Sequence, residues 1–130
     1  MLKKIFFVLL IVVIFVSLYK ITSKPTTENK VVNDQNANLI LFVGDGCPHC
    51  KNVEDFIKNN NVDSKLSISQ KEVYYNQENQ KQLAEAVKNC PSIDSSKGIG
   101  VPLAFIKESA TCLQGDTSII DYLKSKTGLN

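Results

Sequence analysis

Hydrophobic residues form one long run near the start of the chain and several short runs after residue 38. The long run, residues 5–16, has lysines on both sides, which is typical of a membrane or signal segment. It is short for a spanning helix, which usually needs roughly 17–25 residues. We expect residues 1–21 to form a signal anchor, with a cleaved signal peptide as the alternative. The polar residues 22–37 then predict a flexible linker, and residues 38–130 a folded domain.

The first half of the domain pattern predicts a strand followed by a helix. LILFV, at residues 39–43, is a continuous apolar run that is typical of a strand buried on both faces of a sheet. Pro48 suits the first turn of a helix, because the N–H that it lacks would have no helical partner there. Cys50, Val53 and Ile57 then recur at helical spacing, so we expect a helix with one apolar face.

The rest of the pattern alternates between strands and helices. In chain order we expect a strand at 71–76, a helix at 77–90, a strand at 100–106, a strand at 111–114 and a last helix capped by Asp116 or Thr117. Tyr74 and Tyr75 are interpreted as residues that pack in the sheet. The order βαβαββα joins a parallel βαβ unit to an antiparallel hairpin, and so predicts an α/β domain with a mixed four-stranded sheet.

The charge composition of the chain argues against one class of partner, nucleic acids. The formal net charge is +2, the chain has no arginine, and lysines and acidic residues are nearly balanced after residue 38. A domain of this composition offers no basic face to attract phosphates. We therefore expect no nucleic-acid partner.

The motif CPHC places Cys47 and Cys50 at the junction between the first strand and the first helix. A helix N-terminus presents unpaired N–H groups and partial positive charge, and both stabilise a thiolate. Cysteine pKa values in such settings fall from roughly 8.5 to roughly 3.5–7.5. We therefore expect Cys47 to be the exposed nucleophile, and Cys50, one turn later and more buried, to resolve a mixed disulfide. His49 adds a side chain that can carry positive charge beside them.

Other uses of this pair fit the sequence less well. Covalent haem attachment requires a histidine directly after the second cysteine, where this chain has Lys51. Zinc requires two further ligands, normally a second close pair, whereas Cys90 and Cys112 are widely spaced, so no metal is expected. A purely structural Cys47–Cys50 bridge is an alternative, although closing so short a loop stabilises little.

The order of strand, CPHC, helix, strand, helix, GVP, hairpin and helix resembles the thioredoxin superfamily, in particular its small glutaredoxin-like members. The resemblance covers about residues 38–126. CPHC is similar to the active-site motif of the bacterial periplasmic disulfide oxidases of this fold. QGDT, at residues 114–117, partly matches the turn with which glutaredoxins bind glutathione. The resemblance implies helices on both faces of the sheet and a cis bond between Val101 and Pro102 that packs against Cys47.

The resemblance also implies a function, that of a thiol–disulfide oxidoreductase. The expected site comprises the two cysteines, the residues between them and the substrate loop: Cys47, Pro48, His49, Cys50, Val101 and Pro102. No cofactor beyond the redox disulfide is expected, with glutathione as an alternative. We expect a membrane-anchored monomer, facing outside the cytoplasm, that exchanges disulfides with exported proteins or with a membrane redox partner. The alternatives are a non-catalytic electron carrier or binding module and a glutathione-dependent glutaredoxin.

The remaining cysteines, Cys90 on the second helix and Cys112 on the last strand, allow two interpretations. Free cysteines often pack in a core as small hydrophobic residues. In an oxidising compartment the two could instead form a structural disulfide that joins the end of the helix to the sheet. We favour the disulfide.

Overall fold

The computed structural model describes residues 34–129, together with Val12. Within residues 34–129 the strands and helices are β1 (Leu39–Val43), α1 (Pro48–Asn59), β2 (Ile68–Glu72), α2 (Gln77–Lys88), β3 (Leu103–Ile106), β4 (Thr111–Gln114) and α3 (Asp116–Thr127). Their order is the predicted βαβαββα. The predicted fold class, an α/β domain built on a mixed four-stranded sheet, is confirmed.

The sheet has the strand order β2-β1-β3-β4. β1 pairs with β2 in parallel, with Leu39 opposite Ile68 and Val43 opposite Glu72, and α1 supplies the crossover that a parallel pair requires. β3 pairs with both β1 and β4 in antiparallel register. β1 is therefore held by a neighbour on each side, and this fixes the position of its carboxyl end, where the CPHC segment follows.

Side chains alternate between the two faces of the sheet, and each face carries its own core. Leu39, Leu41 and Val43 of β1 point to one face. The helical side chains in that core come from α1 and α3: Val53, Ile57, Ile119 and Leu123. Phe42 points to the opposite face, where α2 contributes Leu83. Phe42 is fully buried, which contributes about 1.5–3 kcal/mol to stability. Helices thus lie on both faces.

The strand predicted at residues 71–76 is wrong in position, because β2 lies at Ile68–Glu72. Pairing with β1 ends at Glu72, and the Glu72 carboxylate then accepts the N–H groups of Tyr74 and Tyr75 at 2.5 and 3.0 Å. These tyrosines were predicted to pack in the sheet, but they are 51% and 78% exposed. Their β propensity is overridden by the register that β1 imposes. Similarly, β3 begins at Leu103 rather than at residue 100.

The predicted signal anchor at residues 1–21 and most of the predicted linker at 22–37 lie outside the described residues. Within the predicted linker, Asp34 already contacts strand β2 of the sheet. Asp34 begins a 3₁₀ turn, and its carboxylate accepts the Ser69 hydroxyl at 2.5 Å and pairs with Lys71 Nζ at 3.0 Å. In the part of the chain that the structure describes, no helix has both the length and the apolar character needed to cross a membrane.

Cys90 and Cys112 form a disulfide. Cys90 follows the end of α2, Cys112 lies on the edge strand β4, and the two side chains are only 2% and 7% exposed. They pack with Phe42 and Leu103 in the core under α2. The bond therefore joins the carboxyl end of α2 to the edge of the sheet.

This crosslink should stabilise the fold by restricting the unfolded chain. It joins cysteines 22 positions apart, and closing a loop of that length contributes about 3 kcal/mol. We expect the double variant C90A/C112A to lose about 3 kcal/mol of unfolding free energy in urea denaturation. The matched control C47A/C50A removes a bond between residues three positions apart and should cost much less. A C90A/C112A variant as stable as the wild type would contradict a stabilising crosslink.

Candidate functional site

Cys47 is the N-cap residue of α1, and its sulfur is the capping group. Its backbone is extended, with φ −79° and ψ 115°, and the Cys50 N–H donates to Cys47 Sγ at 3.2 Å. Pro48 occupies the first helical position, where the missing N–H costs no hydrogen bond. The first-turn amides and the positive end of the helix dipole lie at this sulfur, so negative charge on it is favoured.

Cys50 forms the other half of the CPHC disulfide and faces the core. It is 1% exposed, whereas Cys47 is half-buried. The Gly44 N–H donates to Cys50 Sγ at 3.4 Å. Each sulfur therefore has its own backbone donor, but only Cys47 is open to an incoming molecule.

Gly44 links β1 to the CPHC turn, and the ring of Tyr74 lies directly over it. A Cβ atom at Gly44 would overlap the Cζ and Cε atoms of that ring. Tyr74 follows the end of β2 and is half exposed. The tyrosine thus covers the stretch of backbone whose N–H donates to Cys50 Sγ, and any side chain at Gly44 would displace it.

The loop before β3 lies against Cys47. The Val101–Pro102 bond is cis, Pro102 is fully buried, and the Val101 carbonyl oxygen lies 3.8 Å from Cys47 Sγ. The Pro102 carbonyl accepts the Gly115 N–H at 2.9 Å, which ties this loop to the start of α3. The disulfide is therefore next to this loop, and the loop in turn is bonded to the start of α3.

His49 is bonded to Asp116, the first residue of α3. His49 Nδ1 lies 3.0 Å from Asp116 Oδ2, and the Asn52 amide donates to the same oxygen at 2.7 Å. The imidazole is 72% exposed and the carboxylate 21%. The hydrogen bonds from Asn52 and from His49 lower the pKa of Asp116 from 3.8 to about 2. Asp116 is thus ionised at neutral pH.

An open groove of about 690 Å³ adjoins the disulfide. Cys47 and Pro48 form part of its wall, and Lys51, Glu72 and Tyr75 line other parts. Tyr75 is 78% exposed, so an aromatic ring stands at the side of this groove with most of its surface in water. The groove therefore lies open beside Cys47.

The structure brings together most of the residues that the sequence analysis grouped, namely Cys47, Cys50 and the Val101–Pro102 loop. His49 is in the same helical turn, but its hydrogen-bond partner is Asp116. The sequence presented Asp116 as a possible helix cap and as part of the QGDT segment. The predicted cap is wrong, since Gly115 is the N-cap and Asp116 is the first helical residue. The contact with His49 was missed, because an acidic residue in the first turn of a helix carries no sign of a distant partner. The other two cysteines belong to the core cluster on the opposite face.

No family model matches the chain, and no curated protein or solved structure matches it. The thioredoxin-like interpretation rests on features of the chain itself, which are the βαβαββα fold, the mixed sheet and the Cys47–Cys50 disulfide. Across residues 34–129, no group of three or more histidine, cysteine or acidic side chains is arranged to hold a metal ion.

Replacement of Gly44 by alanine tests the packing behind the disulfide. The added methyl group would collide with the Tyr74 ring, and overpacking of this kind typically costs about 1–3 kcal/mol. We expect Gly44→Ala to be destabilised by that amount in urea denaturation, and the double variant G44A/Y74A to recover part of the loss. If G44A were equally destabilised with and without Tyr74, the ring would not be the cause.

Asp116 should make stability depend on pH with a defined sign. Because its folded-state pKa is about 2 against an ordinary 3.8, the ionised carboxylate stabilises the fold above the ordinary value, and this contribution is lost as the pH falls through about 2. We expect the stability difference between wild type and Asp116→Asn to shrink as the pH falls between about pH 4 and 2.

Urea denaturation at a series of pH values measures this difference. In the Asn52→Ala background, which lacks the strongest donor to Asp116, the part that changes with pH should be smaller. A difference that stays constant down to about pH 2 would contradict the hydrogen-bonded, ionised carboxylate.

Proposed function

We propose that this protein is a thiol–disulfide oxidoreductase whose reacting bond is Cys47–Cys50. The observation that carries the proposal is the 3.2 Å hydrogen bond from the Cys50 N–H to Cys47 Sγ. The more accessible sulfur lies at the amide end of α1, where a thiolate is stabilised, and its partner lies in the core. A stabilised thiolate leaves a mixed disulfide readily, as exchange requires.

The reaction in the oxidising direction has two steps. A substrate thiolate attacks Cys47 Sγ, the Cys47–Cys50 bond breaks, and its electron pair goes to Cys50 Sγ, which lies 3.4 Å from the Gly44 amide nitrogen. A second substrate thiolate then attacks the substrate sulfur of the mixed disulfide and releases Cys47 as a thiolate. Two electrons pass from the substrate to the protein, and the reducing direction is the reverse. The reduction potential of the pair decides which direction prevails in a given compartment.

The neighbouring residues have supporting roles in this proposal. The Val101 backbone borders Cys47 at 3.8 Å, so Val101 and Pro102 offer the surface on which a substrate chain lies. Pro48 starts the helix without an N–H of its own. His49, in the same turn, can carry positive charge near the thiolate that forms.

We place this reaction outside the cytoplasm, on a membrane-anchored monomeric domain. The sequence supports the placement through the apolar run at residues 5–16 and the polar stretch that follows it. The second disulfide supports it as well, since structural disulfides persist mainly in oxidising compartments. The substrates would be cysteine-containing exported proteins or a membrane redox partner.

Glutathione is a less suitable substrate in this proposal. Asp116 belongs to the QGDT segment that partly matches a glutathione-binding turn, but its carboxylate already bonds to His49 and Asn52. A dedicated electron carrier would use the same Cys47–Cys50 bond but would react with one partner only. Exchange rates with unrelated dithiol peptides, and with glutathionylated peptides, distinguish these alternatives from a general oxidoreductase.

Single cysteine variants test the assignment. We expect Cys47→Ser to lose disulfide exchange with insulin, because the attacking sulfur is absent. We expect Cys50→Ser to accumulate a mixed disulfide with a peptide substrate, because the resolving sulfur is absent. Thiol release measures the first result, and mass spectrometry of the trapped adduct measures the second.

The control for both variants is C90A/C112A, which removes the other disulfide. We expect it to keep most of the exchange rate at a temperature where it remains folded. Exchange that continues in folded Cys47→Ser would reject the proposed function. Exchange that is lost in C90A/C112A would show that Cys90 and Cys112, rather than Cys47 and Cys50, carry the activity.

A further inference from the structure

Asp116 connects the CPHC turn to the rest of the site through one carboxylate oxygen. Asp116 Oδ2 accepts from His49 Nδ1 at 3.0 Å and from Asn52 Nδ2 at 2.7 Å. The two donors are three residues apart on α1, and therefore on the same side of that helix. Asp116 itself follows Gly115, whose N–H is bonded to the Pro102 carbonyl. The carboxylate is thus held at a fixed point while it binds the first turn of α1.

This contact determines which nitrogen of the His49 ring carries the proton. The pKa of Asp116 is about 2, lowered most by the hydrogen bond from Asn52, so at neutral pH the carboxylate is ionised and can only accept. Nδ1 must then be the donor, which leaves the lone pair of a neutral ring on Nε2. The ring is 72% exposed, and among residues 34–129 no group bonds to Nε2. Nε2 therefore lies on an exposed ring and can accept a proton from a group in solution.

We propose that Asp116 is a positioning residue for disulfide exchange, which holds His49 in the Nδ1–H form so that Nε2 accepts the proton of an incoming substrate thiol. The inference rests on the proposed function and adds to it the source of the attacking thiolate. The substrate class it implies is a peptide or protein thiol that arrives protonated at neutral pH, since an ordinary cysteine has a pKa of roughly 8.5.

The proton and the electrons balance in this step. The substrate thiol gives its proton to His49 Nε2, and the resulting thiolate attacks Cys47 Sγ. The electron pair of the broken disulfide goes to Cys50 Sγ. The imidazolium, paired with the Asp116 carboxylate, then releases the proton to water or to the newly formed thiolate, and the neutral ring is restored.

Asn52 provides a matched control for a merely structural role of Asp116. Asn52 lies on α1 like His49, and its side-chain amide donates to the same Asp116 oxygen at a slightly shorter distance. Asn52→Ala therefore weakens the link between α1 and α3 but leaves an acceptor for Nδ1. Asp116→Ala removes both contacts.

The first measurement is the tautomer of His49, which is directly accessible because the chain has a single histidine. Nitrogen-15 NMR of the imidazole, at a pH at which the ring is neutral, shows which nitrogen carries the proton. We expect Nδ1–H in the wild type and in Asn52→Ala, and a shift towards Nε2–H in Asp116→Ala. A wild-type ring protonated on Nε2 would overturn the inference.

The second measurement is the exchange rate with a dithiol peptide in a double-mutant cycle. We expect Asp116→Ala to lower the rate about tenfold, a part of what a positioned proton acceptor contributes, and Asn52→Ala to lower it far less. In a His49→Ala background, Asp116→Ala should have no further effect, because its role passes through the ring. The same loss in both backgrounds would overturn the inference.

The outcomes also separate this inference from the proposed function. A wild type without any exchange would reject both the function and the step built on it. Exchange that requires Cys47 but is unaffected by Asp116→Ala would reject this inference alone. If circular dichroism shows Asp116→Ala to be unfolded, Asp116→Asn takes its place, because it keeps an acceptor oxygen without the charge, and a smaller loss of rate is then expected.

Discussion

The hydrogen bond from the Cys50 amide to Cys47 Sγ is the contact on which the proposed function depends. It forms because the chain changes from strand to helix at Cys47, so that the Cys50 amide in the first turn of α1 reaches its sulfur. The place where this change occurs is fixed by β1, which is paired on both sides and buried on both faces. The packing of the sheet therefore determines the electrostatic environment of a single sulfur atom.

A closed circuit of contacts includes that sulfur and the CPHC turn. The Val101 carbonyl borders Cys47, the Pro102 carbonyl accepts the Gly115 N–H, and Asp116 returns to the first turn of α1 through His49. Each contact joins a different segment of the chain, so the CPHC turn cannot move without disturbing the others. The second disulfide, at the edge of the sheet, lies outside this circuit and belongs to the core of the opposite face. The two disulfides thus have different environments, one beside an open groove and one buried.

The sequence predicted the order of the elements and the location of the cysteine pair, because apolar periodicity and the CPHC motif are local signals. It misplaced β2, since the register of that strand is set by its pairing with β1 rather than by the β propensity of residues 73–75. It also missed the partner of His49, because Asp116 is 67 positions away and contact at that separation leaves no local pattern. For the same reason the disulfide between Cys90 and Cys112 was favoured but not established by the sequence, as spacing along the chain does not give distance in space.

The most direct test of the account is the pH dependence of Cys47 alkylation in the reduced protein, with the modified residue identified by mass spectrometry. If the amide end of α1 stabilises the thiolate, the reaction should reach half of its maximal rate below about pH 7.5. A midpoint near about pH 8.5, the value of an ordinary cysteine, would show that the helix gives this sulfur no such stabilisation and would contradict the account.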